Sequence, residues 1–564
     1  MKTALISVYN KEGIVSFAKE LVALDFNILA SGGTAKELTS AGIKVTDVAS
    51  LVGGGAILGH RVVTLSREVH AGLLARNIKE DREELEKLKI PFIDLVCVDL
   101  YPLQEEIAKW SQGTLTPALS QREREEGRNA VIEKTDIGGP TMLRSAAKGG
   151  RIVVCDPDDR KAVISWLKSG ETDKGKFISA LAAKAEAIVA DYCLVSARYH
   201  SAGKYEGMVV REILTCKYGE NAYQAPAGLY GEQTIIHDPL SLTEFKVMAG
   251  TAPSYNNLAD VDRLLQTITH IAAGFDVNGN TLSALRASPP KGESSATVPM
   301  IAVGVKHGNP CGAAVTDEPL EAIKKMLEGD LRAIFGGLVM VNFPVDEKLA
   351  EVLLTHKMDK GRRLLDGIIA PSFTSGAIDL LKRKGDKCRF MVNPALLTLS
   401  KNSLDQHRRF RYVRGGFLSQ PNYSFIADLQ KAEIVGDKKI NKNQKTDLVL
   451  AWAIGSTSNS NTVTIVKDGM LLGNGVGQQD RVGCCQLAIK RATDAGHKIK
   501  DAVAYSDSFF PFVDGVQTLA DADIKAIFAT SGSVRDGEVK EFCVKNNISL
   551  IMLPDFEARG FFGH

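Results

Sequence analysis

The chain has 564 residues, of which 44% are apolar and 24% charged, and its formal net charge is +2. Such a length exceeds what one hydrophobic core organises and implies roughly two to four domains, while the composition excludes a disordered or fibrous protein. The small charge gives no general nucleic-acid or membrane surface, no apolar run is long enough to cross a bilayer, and the opening MKTALISVYNKEG lacks a signal peptide's apolar core, so the expected location is the cytoplasm.

From the first residues, TALISV predicts a buried strand, KEGIVSFAKELVAL an amphipathic helix, FNILA a second strand, and SGGTAKELTSAG a turn opening a helix that closes on Gly42. FIDLVCVDLYPL and RIVVCDP predict further strands. This alternation predicts an α/β fold with a doubly wound, mostly parallel sheet. A helix over 174–200 ends the unit, and SAGKYEG marks a boundary, giving a domain over 1–200 and another over 201–564. The second carries the apolar strands MIAVGV, GLVMVN, DGIIAP, TVTIVKDG, AIFAT and SLIMLP, enough for two subdomains near 201–370 and 371–564. Two segments, 111–129 with its charge run Arg122 to Arg128 and 283–299 rich in Ser, Ala and Pro, read as surface insertions without chemistry.

Nine cysteines without a C-x-x-C suggest neither a disulfide framework nor zinc, and the absence of H-x-E with P-C-x-x-C excludes a zinc deaminase. The expected cysteine is a small buried hydrophobe.

Several strand ends carry chemistry-bearing residues. SGGT (Ser31, Gly32, Gly33, Thr34) and YNKEG, which offers Lys11, sit at the ends of neighbouring strands, where glycines admit an anion and helix amides donate to it. Together they point to a phosphate site. DIGGPTMLRSAAK places Pro140 in a first helical turn and Arg144 and Lys148 on one face; spacing alone leaves open whether this is a site or an ordinary capped helix. SYNNLADVDRLL has the form of a turn feeding a helix, which needs no function. GVKHGNPCG sets Lys306 and His307 where an apolar strand gives out, a place where open α/β sheets bind ligands. SFFPFVDG cannot turn every phenylalanine inward, so part of it lines a cleft for a flat ligand.

These motifs, with DLYP, KYGEN, FGG, IIAP, GQQDR and the terminal ARGFFGH, occur in an order that resembles the bifunctional purine-biosynthesis family joining AICAR formyltransferase to IMP cyclohydrolase. The resemblance implies formyl transfer from 10-formyltetrahydrofolate to AICAR, then closure of formyl-AICAR to IMP with loss of water. It implies a methylglyoxal-synthase-like first domain and two cytidine-deaminase-like subdomains, without a catalytic metal. The implied partners are these small molecules and a second copy of the chain, a homodimer with transferase sites across its interface.

Carried over by the resemblance, Lys306 and His307 match the catalytic pair. A histidine titrating near neutrality suits removal of the amine's proton, and a lysine suits the charge gathering on the formyl oxygen. Lys217, Tyr218, Phe335, Gly336, Asp366, Asn461, Arg481, Phe509 and Arg559 would surround AICAR. Val482, Pro511, Ser533 and Val534 would adjoin the folate, with Asp514 close to the reacting groups. In the first domain Tyr9, Asn10, Lys11, Ser31 to Thr34, Arg61, Thr64 and Ile137 would bind nucleotide, and Tyr101, Asp136 and Lys148 would act in ring closure, which proximity already favours. The sequence departs from the family at Val63, where a lysine is expected, at Ser66 for histidine, Arg67 for proline and Gly149 for asparagine. In the second domain Lys217 replaces an arginine. The alternative is a formyltransferase whose first domain binds nucleotide without closing the ring.

Overall fold

The computed structural model describes residues 2–58, 62–114, 121–232, 238–279, 299–436 and 440–563. The chain divides into two compact units, Met1–Arg211 and Glu212–His564. In the first, β1 (Lys2–Ser7), β2 (Phe26–Ala30), β3 (Val45–Asp47), β4 (Leu95–Val98) and β5 (Ile152–Val154) form a parallel sheet of order β3-β2-β1-β4-β5. β4 and β5 are unbroken apolar runs and β1 and β2 mainly apolar because both faces are covered, whereas the edge strand β3 is largely exposed. Ile6 and Ile28 pack with Phe17 and Leu21 on one side, while Leu5, Leu29 and Val96 pack with Val69, Leu143 and Ala185 on the other. Strand order reverses between β1 and β4, so the crevice beyond their carboxyl ends is where such a sheet takes a ligand.

The polar segment 111–129 is not a loop where it is described. Helices Leu103–Thr114 and Gln121–Glu133 flank residues 115–120, which lie outside the described residues. Their anchors are Leu103, Ile107 and Val131, gathered with Tyr192 and Val195 of the helix Lys174–His200. Those anchors fall on either side of 111–129, which is why the segment itself shows no apolar period. Nearly all of 283–299 lies outside the described residues.

In chain order, β6 (Val210–Cys216) and β7 (Ala227–Glu232) make a two-stranded ribbon. The strands β8 (Lys246–Ala249), β9 (Met300–Lys306), β10 (Asn309–Thr316), β11 (Leu338–Val341), β12 (Gly367–Ala370) and β13 (Arg389–Val392) then belong to one sheet. A second ribbon, β14 (Arg408–Val413) and β15 (Gly416–Pro421), precedes β16 (Glu433–Val435), β17 (Val463–Lys467), β18 (Met470–Gly475), β19 (Val503–Ser506), β20 (Ala526–Ser531) and β21 (Ser549–Pro554). Among the described residues these twelve strands form one sheet, ordered β16-β21-β20-β19-β17-β18-β10-β9-β11-β12-β13-β8.

The sheet is a duplication. In each half a hairpin (β9–β10, β17–β18) lies antiparallel to the first of three parallel strands (β11 to β13, β19 to β21), and an antiparallel edge strand (β8, β16) closes the far side. The first half therefore runs past residue 370 to the end of β13. The halves join through β10 and β18, paired at Ala314 and Met470. Each half also has a long buried helix, Tyr255–Val277 or Asn441-capped Lys442–Ser456, opened by a capping box. The two helices press together closely enough that a Cβ on Gly274 would lie 2.8 Å from the Trp452 ring.

His270, on the first of these helices, stacks on Tyr423 at 5.4 Å and is buried, which pushes its pKa down to about 4. The unfolded chain binds the proton more readily, so this group's contribution is complete above about pH 6.5 and is lost as pH falls toward 4. His270→Phe is expected to flatten the acid limb of stability by up to about 3 kcal/mol, read from urea unfolding between pH 7 and 4.

Candidate active sites

The pair Lys306-His307 stands at a hairpin tip rather than at the free end of a strand. Residues 309–316 turn back along β9, with Asn309 opposite Lys306. The turn residues His307 and Gly308 have φ of 52° and 73°, the left-handed pair that a two-residue hairpin requires. Asp468 and Gly469, at 52° and 70°, make the corresponding turn between β17 and β18.

Each turn is held by the sixth residue of its buried helix. The Gly308 N–H donates to Asp260 Oδ1 at 2.6 Å, and the amides of Asp468 and Gly469 donate to Asp447 at 2.9 and 2.7 Å. Burial raises the pKa of Asp260, which the Gly308 amide and the facing His307 oppose; burial pushes Asp447 up to about 6. Asp260 belongs to the NNLADVD stretch that periodicity alone read as plain helix. Asp260→Ala strands a half-buried amide and frees the tip. We expect a loss of about 1–3 kcal/mol of stability, read by thermal melting.

Lys306 Nζ donates to the Phe335 carbonyl at 2.6 Å. Gly336, at φ 73°, is fixed through its N–H to Leu364, and the Asp366 N–H bonds the Gly337 carbonyl at 3.0 Å. Lys306, Phe335, Gly336 and Asp366 are thus brought together, with Asp366 paired to Arg383 at 2.5 Å. A cavity of about 360 Å³ opens beside Lys306 and His307, and Asp330, Asn474 and Arg491 line it too. Cys311 lies in β10: its thiol points to the Gly304 carbonyl at 3.5 Å, and burial pushes it up to about 12.

The Asn309 side chain accepts the Asn459 N–H at 3.3 Å, which links the tip to a second cluster. There Asn461 Oδ1 accepts from Arg481 at 3.1 Å, and Arg481 pairs with Asp507, which has no exposed surface. Ser460 Oγ and the Thr462 N–H donate to the other oxygen of Asp507 at 2.8 and 3.0 Å. Asp507 escaped sequence reasoning, because nothing in AYSDSFF separates a buried acid from a turn acid.

The FFPF run divides three ways. Phe510 is in the core, Phe509 faces Arg559 at 5.7 Å, and half-exposed Phe512 lies 4.9 Å from the Arg535 guanidinium. Arg559 is anchored on Asp555 at 2.5 Å. Burial alone would raise Asp555, but bonds from Thr530, Arg559 and Ser508 outweigh it and hold the carboxyl low. Pro511 and Val534 are exposed and Ser533 half-buried, beside the Phe512–Arg535 contact. Val482 follows Arg481 at the start of the helix Arg481–Asp494. Asp514 is exposed, and a Cβ on its neighbour Gly515 would lie 3.4 Å from Arg481. Lys217 and Tyr218 are not drawn into either cluster; their loop is tied through the Glu220 carbonyl to Asn256 at 3.2 Å.

In the first unit the turns after β1 and β2 interlock. Thr34 Oγ1 bonds both the N–H and carbonyl of Val8 at 3.2 Å, and Ser31 bonds Ser7 at 2.9 Å. Lys11 folds onto the Val8 and Tyr9 carbonyls beside Gly33; burial lowers its pKa against the pull of Asp99 and Glu37. Asp99, just past β4 and missed in the sequence, accepts the amides of Tyr9 and Asn10 and is raised by burial.

Tyr9 and Tyr101 meet edge to face at 5.4 Å. Burial, then Asp136 and Tyr9, raise the Tyr101 phenol. Asp136 is itself raised by burial and accepts the Gly139 N–H at 2.8 Å, closing the start of the helix Gly138–Lys148. Thr64 stands under that start, where a Cβ on Gly138 would lie 2.7 Å from its hydroxyl. Asp136, Ile137, Arg144 and Lys148 line a cavity of about 610 Å³ with Tyr192. Arg61 lies outside the described residues.

The departures from the family have local reasons. Val63 packs into the apolar cluster with Leu51 and Val52 and presents no charge. Ser66 caps the helix Arg67–Leu74 by accepting the Val69 N–H at 3.2 Å. Gly149 passes so close to the Leu73 carbonyl that a side chain there would collide with it.

Comparison with known proteins covers both units. The family model AICARFT/IMPCHase bienzyme matches residues 146–491, and the MGS-like domain model matches 13–141. A protein of Anoxybacillus flavithermus named bifunctional purine biosynthesis protein PurH is 36% identical over 547 residues, covering 95% of each chain. Proteins of the same name from Acetivibrio thermocellus and Listeria welshimeri are 33% and 36% identical, each covering 98% of both chains.

Proposed function

Because the chain belongs to the AICARFT/IMPCHase bienzyme family, which carries out the last two steps of IMP synthesis, we propose how its own residues divide the work. The enzyme is both a formyltransferase, with 10-formyltetrahydrofolate as donor, and an IMP cyclohydrolase. The transferase-only alternative is not favoured, since the family match spans both units.

In the second unit His307 takes the proton from the 5-amine of AICAR as that nitrogen attacks the formyl carbon, and Lys306 faces the oxygen that gathers charge. The observation that carries this assignment is the rigid tip, with His307 fixed by its turn and Lys306 held on the Phe335 carbonyl. Phe335, Gly336, Asp366, Asn461, Arg481, Phe509 and Arg559 surround AICAR, joined by Lys217 and Tyr218. Asp514 stands near the reacting groups, and the folate lies along Val482, Pro511, Ser533 and Val534. In the first unit Tyr9, Asn10, Lys11, Ser31 to Thr34, Arg61, Thr64 and Ile137 bind the nucleotide, with Tyr101, Asp136 and Lys148 serving ring closure. The protein works as a cytoplasmic homodimer; exposed Tyr412 and Leu418 on the β14–β15 ribbon suit a partner surface, which sedimentation would test.

The deciding experiment supplies AICAR with 10-formyltetrahydrofolate, then formyl-AICAR alone. Tetrahydrofolate release in the first and IMP in the second are expected. Release without IMP from formyl-AICAR would remove the ring-closing role from the first unit.

A further inference from the structure

At the β1–β4 crevice the ammonium of Lys134 has no counter-charge among the described residues. Lys134 follows the helix Gln121–Glu133, and its Nζ lies 5.7 Å from the Tyr9 ring centroid and 5.8 Å from that of Tyr101. Among the described residues no carboxylate lies within ion-pair distance of it. Its backbone is fixed: Tyr192 donates to the Lys134 carbonyl at 3.2 Å and accepts the Asp136 N–H at 2.7 Å. Lys11, also at this crevice, spends two of its three donors on the Val8 and Tyr9 carbonyls. Two aromatic faces hold a cation in place without neutralising it, at about 0.5–1 kcal/mol where water has access. A charge so held is available to a ligand.

We propose that Lys134 is a substrate-contacting cation of the first unit, set against the formyl oxygen of formyl-AICAR during ring closure. The inference rests on the reading that this unit closes the ring. In that reaction the carboxamide nitrogen bonds to the formyl carbon and gives up a proton, while the carbonyl electron pair moves onto the formyl oxygen. The oxygen takes up that proton and a second one released by the formamide nitrogen, whose electron pair closes a carbon–nitrogen double bond as the carbon–oxygen bond breaks with its own pair, and water leaves. A cation fixed beside that oxygen stabilises the charge where it develops and can deliver one of the protons. Asp136, two residues along the same tied segment, is placed to accept the nitrogen's proton.

The test uses the full chain with Lys134→Met and Lys134→Arg, measuring IMP formation from formyl-AICAR, tetrahydrofolate release from the transfer reaction, and the melting temperature. Lys134→Met is expected to lower kcat for cyclisation by about 10²-fold with KM little changed, Lys134→Arg to recover part of it, and transfer and melting to stay as in the wild type. Cyclisation by Lys134→Met at the wild-type rate, no recovery by arginine, or a matching fall in melting temperature would overturn the assignment of Lys134. A wild-type chain unable to cyclise formyl-AICAR would overturn instead the ring-closing reading on which it rests.

Discussion

His307→Asn is expected to lower kcat for formyl transfer by about 10²–10⁴-fold and to leave cyclisation of formyl-AICAR unchanged. Asparagine is the informative replacement because the turn needs φ of 52° at this position, and asparagine tolerates the left-handed region better than most residues. The hairpin therefore keeps its shape while the imidazole is lost. His307→Ala removes the same base but adds doubt about the turn, so the two variants together separate chemistry from geometry. Lys306→Met should fall similarly, since the Phe335 carbonyl then loses its donor and the formyl oxygen its cation. Single-turnover tetrahydrofolate release reads both; a His307→Asn enzyme at full rate would remove the base from the proposed scheme.

Asp507→Ala is expected to destabilise the second unit by about 3–5 kcal/mol and to abolish measurable AICAR binding. Asp507 is fully buried and meets Arg481, Ser460 and the Thr462 amide at once. Truncation leaves a guanidinium that is 9% exposed without a counter-ion, in a place water barely reaches. It also releases Asn461, whose side chain Arg481 holds. A double-mutant cycle with Arg481→Met tests the pairing: the double variant should be more stable than Asp507→Ala alone, because the stranded charge is gone. A double variant destabilised by the sum of the two single losses would mean that the pair carries no coupling. Urea unfolding and calorimetric titration with AICAR give the two readings.

How much of this was legible in the sequence depended on whether a residue acts along the chain or across it. FNILA and SLIMLP are strands with the boundaries that their apolar runs suggest, and the helix over 174–200 is Lys174–His200. Periodicity succeeds there because both faces of each strand are covered. It failed at Asn309–Thr316, where glycine, proline and asparagine imitate a loop although the segment is a central strand. Candidate residues stood out wherever chemistry-bearing side chains stand at a turn, as with Lys306, His307 and Lys11. Asp260, Asp99 and Asp507 were hidden because each acts on backbone or on a side chain distant in sequence, and a lone aspartate carries no mark of its partner. Lys134 was hidden for the same reason, since Tyr9 and Tyr101 reach it only after folding.

The duplicated sheet bears on how the transferase tolerates change. The hairpin that carries Lys306 and His307 sits at the seam between the halves, so its β10 flank is completed by β18, a strand that arrives more than 150 residues later. Either half made alone would present a bare central strand as a sticky edge, open to pairing with another chain. Severing the polypeptide between β13 and β16 would therefore yield fragments that aggregate or find each other, not two working modules. The twin turn at Asp468-Gly469 repeats the scaffold without the histidine, which makes it a built-in blank: a substitution tolerated there and ruinous at His307 reports on reactivity, free of any confusion with folding.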